Sequence, residues 1–231
     1  MVERTVDWEI IGVAVLVTFV IVGGIYSLGM GLNNYKLNKL SSDIKDLEVQ
    51  QRSQSLGFEM ARSFDTQGCS AMKTWIRTST PEISSLRKKV AAYESSSKFD
   101  SPEYQLLKKR YTNLVIQNYL EVRTLESKCG KQVLDIVYFY SKDKCPACED
   151  QGTVLTYFRR KYPSRLIVFP LDTDLGMRNI EFLEETYNIT DYPAVVVNGQ
   201  VYHSFQSKNK LGSVIDRELE SMNSTKALEV N

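Results

Sequence analysis

Val133-Leu134-Asp135-Ile136-Val137-Tyr138-Phe139-Tyr140, followed after a short polar loop by Cys145-Pro146-Ala147-Cys148, is the stretch that decides the fold. Its first part is β-branched, aromatic and almost continuously apolar, which reads as a strand buried on both faces. The cysteine pair leads into a helical pattern that runs to about Tyr162. Downstream, Arg165–Leu171 reads as a second strand and Met177–Tyr187 as a helix. Tyr192-Pro193 opens a third strand, Ala194–Val197. Asn198-Gly199 is a strong hairpin turn, the chain returns over Gln200–Phe205, and a last helix covers Lys208–Met222. The order is β-α-β-α-β-β-α, an α/β arrangement. Pro170 lies within the second strand, so that strand is expected at a sheet edge, where a missing N–H is tolerated.

Upstream the pattern changes. Residues 33–130 read as a helical region without a catalytic motif. Leu37, Leu40, Ile44 and Leu47 recur at helical spacing, and Pro81 suits the first position of a helix that carries Ile83, Leu86, Val90 and Tyr93. A long helix is expected from Glu103 to Cys129, with Gly130 as its cap. Ahead of this, Ile10 to Leu32 contains no charged side chain. A helix of about 20 apolar residues crosses a bilayer core, whereas a signal peptide has a shorter apolar run. Residues 10–32 are therefore expected to form a transmembrane helix behind a tail at 1–9. The expected organisation continues with the helical region at 33–130, an α/β domain at 131–222 and a C-terminal tail at 223–231.

The chemistry follows from the cysteine pair. A thiolate, not a thiol, attacks a disulfide. The first turn of a helix offers free N–H groups and partial positive charge, both of which stabilise an anion. Cys145 is thus the candidate nucleophile. Cys148, three residues on, is placed to resolve the mixed disulfide, and Pro146 preorganises the turn. Competing uses of the pair are a stabilising disulfide and a two-thiolate seat for a soft monovalent metal ion.

Strand, Cys-Pro-Ala-Cys, helix, and then a proline just before a β-hairpin together resemble the thioredoxin superfamily in its minimal, glutaredoxin-sized form. The resemblance covers about the last hundred residues. It implies a thiol–disulfide oxidoreductase acting on protein thiols and disulfides, with Cys145 and Cys148 catalytic. It also implies a cis peptide bond before Pro193 and a substrate-docking role for Tyr192 and Pro193, beside Pro146. One feature departs from the family. Its buried aspartate on the first strand is replaced here by Tyr138 or Phe139, depending on how the loop is aligned, and neither is a base of that kind.

Cys69 and Cys129 remain. They read as separate buried thiols, as a relay pair exchanging electrons with Cys145, or as one structural disulfide closing a loop of about 60 residues, worth about 3–4 kcal/mol in the chain-entropy model. The disulfide favours an oxidising compartment. A single-pass membrane protein with an extracytoplasmic soluble part is therefore expected, with a possible membrane redox partner. The 231 residues carry a net charge of +1, so nothing points to nucleic acid. With one close cysteine pair and one histidine, no metal site and no cofactor are expected. The alternative to an enzyme is a non-catalytic binding or assembly protein at the membrane, using the same fold as a platform.

Overall fold

A computed structural model of the chain describes residues 15–24, 52–53, 55–60, 63, 68–94, 101–131 and 133–228. The chain divides into two compact units, Met1–Ser55 and Leu56–Asn231. In the first, residues 15–24 are helical with every side chain exposed. Among the described residues no helix is long and apolar enough to cross a membrane. The remainder of the expected span at 10–32, and the part of the helix expected from Tyr35 to about Phe64 that falls on residues 35–51, lie outside the described residues.

The second unit holds a four-stranded sheet. Its strands are β1 (Leu134–Tyr140), β2 (Leu166–Asp172), β3 (Ala194–Val197) and β4 (Gln200–His203). Its helices are α1 (Gly68–Glu94), α2 (Pro102–Cys129), α3 (Cys148–Lys161), α4 (Arg178–Tyr187) and α5 (Lys208–Leu228). The sheet order is β2-β1-β3-β4, with β1 parallel to β2 and antiparallel to β3. Pro170 sits opposite Tyr138 on β2, which is an edge strand. Asn198 and Gly199 both have positive φ, as a tight hairpin turn of this twist requires.

Side chains alternate along β1 and sort two cores. Leu134, Ile136 and Tyr138 face α3 and α5, meeting Leu155, Phe158, Leu211 and Ile215. Val137 and Phe139 face the other way, with Phe169 and Leu171 of β2, onto α2 and α4 through Val115, Val122, Ile180 and Leu183. That second core continues into α1 through Met72, Ile76, Leu86 and Val90. Helices α1 and α2 and the sheet after them therefore share one core. The periodicity changes at 130/131, where α2 gives way to β1.

Two further expectations are corrected. Pro81 does not start a helix, because α1 runs unbroken from Gly68 to Glu94. Proline removes one backbone donor from a helix interior. The apolar positions 72, 76, 83, 86 and 90 form a single stripe across it, and packing of that stripe outweighs the lost bond. The last helix does not end at Met222 but continues to Leu228. Residues 223–228 contain no proline or glycine to stop it, and Arg165 donates to Leu219 O and to Asn223 Oδ1, each at 2.9 Å.

Candidate functional site

The register of the sheet gathers the site. Phe139 on β1 pairs with Ala194, the first residue of β3, and Tyr140 pairs with Asp172, the last of β2. The loops after β1 and β2 and the peptide before β3 thus emerge at one end of the sheet. That end carries Cys145 and Cys148, Asp172–Leu175, and Tyr192-Pro193. The Tyr192–Pro193 peptide bond is cis and Pro193 is buried. Tyr192 is half-buried, and its hydroxyl donates to Glu184 on α4.

Cys145 and Cys148 are joined by a disulfide with Cα atoms 5.4 Å apart. Helix α3 begins at Cys148, so Cys145 and Pro146 form the turn that feeds it, and Cys148 N donates to Cys145 O at 3.3 Å. The two sulfur residues are 7% and 6% exposed, so what little access they have decides which partner can reach them. Both line a cavity of about 1030 Å³.

Asp174 organises the loop leading to Cys145. Its carboxylate accepts from Ser141 Oγ at 2.7 Å and from the amides of Lys142 and Asp143 at 2.5 and 3.2 Å. Ser141 Oγ in turn accepts from Lys144 N at 2.9 Å. Burial pushes the Asp174 carboxyl up, but the hydrogen bonds from Ser141, Lys142 and Asp143 outweigh it and hold the group below its ordinary value. The loop is therefore tied to an anion at neutral pH.

Tyr138, and not Phe139, is the β1 residue on the cysteine side. Phe139 points into the opposite core. Tyr138 lines the cavity, stacks on Tyr140 and donates its hydroxyl to Cys148 O at 2.6 Å. Burial raises its pKa well above the ordinary phenol value, so it is a donor here and not a base.

The helical region reaches the same loop. Glu94, at the end of α1, accepts from Lys142 Nζ at 2.6 Å and from Tyr104 Oη at 2.9 Å. Lys108 of α2 lies 3.6 Å from Glu94 and is paired with buried Asp172. Burial pushes Glu94 up, while Lys142, Tyr104 and Lys108 together bring it below its ordinary value. Tyr104 is pushed up to about 12, first by burial and then by its bond to Glu94. Cys69 and Cys129 are joined by a second disulfide, with Cα atoms 5.7 Å apart, between the start of α1 and the end of α2. It lies beyond the Leu134 end of β1, about a strand's length of some 20 Å from the cysteines after Tyr140.

The sequence pattern pointed to the cysteines, Pro146 and the Tyr192-Pro193 turn, which the fold brings to one end of the sheet or close to it. It did not show Asp174, Glu94 or Asp172. The loop partners of Asp174, the Lys142 partner of Glu94 and the Lys108 partner of Asp172 lie 31 to 64 residues away along the chain, and no local spacing signals such pairs.

The result is a mixed α/β protein with a four-stranded sheet and a cysteine pair at a helix start. Solved structures similar to the chain include the thioredoxin Deadhead of Drosophila melanogaster, at 23% identity, with 44% of this chain and 92% of that one covered and a TM-score of 0.34. A thioredoxin of Thermus thermophilus is similar at 20% identity, over 44% of this chain and 83% of that one, with a TM-score of 0.33. The oxidised thioredoxin of Plasmodium falciparum is similar at 18% identity, over 48% and 90%, with a TM-score of 0.31. No protein-family model matches the chain, and no curated protein does.

Proposed function

We propose that this chain is a membrane-anchored thiol–disulfide oxidoreductase that exchanges disulfides with protein substrates through Cys145 and Cys148. The observation that carries the reading is the Cys145–Cys148 disulfide at the start of α3, nearly buried and lining a cavity. In the oxidised form a substrate thiolate attacks Cys145 Sγ, the Cys145–Cys148 bond breaks, and Cys148 leaves as a thiolate. A second substrate thiolate then attacks the substrate sulfur of the mixed disulfide and Cys145 leaves. The substrate loses two electrons and two protons as its disulfide forms, and the protein gains them as a dithiol. Run in reverse, Cys145 attacks a substrate disulfide and Cys148 resolves it. The return half-reaction takes a second dithiol or disulfide, for which a membrane redox partner is the proposed source.

The first turn of α3 supplies the stabilisation that a Cys145 thiolate needs. Tyr192-Pro193 is the proposed docking edge for an extended substrate, and Pro146 lines the cavity together with the two cysteines. The uncharged run from Ile10 to Leu32 is the proposed anchor, and the Cys69–Cys129 disulfide favours an extracytoplasmic location for the second unit.

Replacement of Cys145 by serine is expected to abolish insulin-disulfide reduction by the reduced protein. Replacement of Cys148 by serine is expected to trap a mixed disulfide, visible as a mass shift on a non-reducing gel. Two variants that behave like the parent would overturn the reading. Thiol labelling of Cys145 in intact cells tests the location, and an unlabelled cysteine that becomes reactive only on permeabilisation overturns it.

A further inference from the structure

The cavity beside the cysteines extends well past them. One wall is α3, which presents Cys148, Gly152, Leu155, Thr156 and Arg159 in a helical stripe. Arg159 is eleven positions from Cys148, so the far end of this wall lies about 16 Å from the disulfide at 1.5 Å per residue. The other wall comes from the opposite side of the sheet, with Arg87 of α1 and Tyr111 of α2, and Val168 and Pro170 of edge strand β2 lie between the walls.

The far end is basic and unneutralised. Arg87, Arg159 and Arg160 all line it, and among the described residues none of them has a carboxylate within ion-pair distance. Two carboxylates also line the cavity: Glu149, in the first turn of α3 beside the cysteines, and Glu94, which is already taken by Lys142, Tyr104 and Lys108. Burial and then the charge of Arg87 lower the pKa of Arg159, and only the Tyr111 hydroxyl opposes them. Two half-buried guanidinium groups brought together from different elements repel one another until an anion sits between them. Gly152 points the same way. Glycine inside a helix costs about 1 kcal/mol relative to alanine, and an added Cβ here would meet only Tyr138 Cε1 at 4.0 Å. The glycine relieves no clash, and it lies in the lining between the sulfurs and the arginines.

We propose that this cavity seats an extended acidic peptide segment whose cysteine exchanges with Cys145 and whose carboxylate side chain lies between Arg87 and Arg159. At about 3.3 Å per residue, the 16 Å separation sets the acidic residue about five positions from the cysteine. The proposal rests on the thiol-exchange reading and adds its substrate class. It also gives the helical region a task, since α1 supplies the Arg87 wall.

The test uses short synthetic peptides carrying one cysteine and one glutamate about five positions away. Controls replace the glutamate by glutamine, move it next to the cysteine, or replace the cysteine by serine. With the oxidised full-length protein, the glutamate peptide is expected to form the mixed disulfide about tenfold faster than its glutamine version, as one charge-assisted contact allows. The ratio is expected to fall towards one in Arg87→Gln with Arg159→Gln, and to be partly kept in Arg159→Lys. Equal rates for the two peptides in the parent, or a ratio that the arginine variants leave untouched, overturn the proposal. So does an equal gain from the displaced glutamate. If no peptide reacts, the exchange reading fails by itself. Equilibrium binding of the serine peptide then decides the cavity: charge-dependent binding lost in the arginine variants upholds it, and its absence overturns it.

Discussion

Tyr138 stands on β1 beside Cys148 and spends its hydroxyl on the Cys148 carbonyl. A buried neutral hydrogen bond of this kind is worth about 1 kcal/mol net. Tyr138→Phe keeps the ring stacked on Tyr140 and removes only the bond, so urea unfolding is expected to show a loss of about 1 kcal/mol with an unchanged m value. Glu126 is a second residue whose surroundings make a measurable demand. Burial, and then the neighbouring charge of Asp135, push its pKa from 4.5 up to about 7, against Lys131 and Arg123. A folded-state pKa above the unfolded one means that the native state binds more protons between those values. Stability from this group is therefore present below pH 4.5 and is lost as pH rises to about 7. Glu126→Gln carries no such titration, so its stability profile between those limits is expected to be flatter than the parent's. A variant that reproduces the parent's pH slope would mean that Glu126 does not titrate in this window.

Helices α1 and α2 are held together at one end by the Cys69–Cys129 disulfide and near the other by Glu94, Tyr104 and Lys108. The cysteines are 60 residues apart. Opening a loop of that length is expected to cost about 4 kcal/mol through the entropy returned to the unfolded chain. Cys69→Ala with Cys129→Ala is therefore expected to lower the thermal midpoint markedly while leaving Cys145 and Cys148 in place, as calorimetry and thiol counting can show. The Lys108–Asp172 pair is the other tie, from α2 to the end of β2, and both side chains are almost fully buried. Removing one partner of a buried pair leaves an uncompensated charge. Asp172→Asn is expected to cost about 3 kcal/mol in urea unfolding, Glu94 being too far at 3.6 Å to replace it fully. These elements also show where a sequence can be read. β1 and the hairpin at Asn198-Gly199 announce themselves because their signals are local. The passage of α1 through Pro81 does not, because it is decided by a stripe that finds its partners on α2.

The core is where reading from sequence reaches its limit. The shift of periodicity after Gly130 is real, and it looks like a domain boundary because the face of α2 turned to the sheet has no partner nearby in sequence. Its partners, Phe169 and Leu171 of β2 with Val137 and Phe139 of β1, come only after the cysteine pair or just ahead of it. The cysteine pair and Pro193 were legible because chemistry fixes their residue types at short spacings. Asp174, Arg87 and Arg159 were not, since a charge gains its meaning only from what the fold sets against it. The consequence is testable on the whole molecule. A fragment of residues 131–231 keeps every strand and α3, α4 and α5, but it loses α2 from the sheet face that holds Phe169 and Leu171. Each large side chain so exposed forfeits about 1.5–3 kcal/mol, and three or four of them together forfeit about 5–12 kcal/mol, comparable to the whole 5–15 kcal/mol of a typical domain. The fragment is expected to bind a hydrophobic dye and to unfold without a cooperative transition, whereas residues 56–231 are expected to unfold cooperatively. A fragment from residue 131 with a sharp transition and no dye binding would show that the sheet is self-sufficient and that α1 and α2 are an attachment to it.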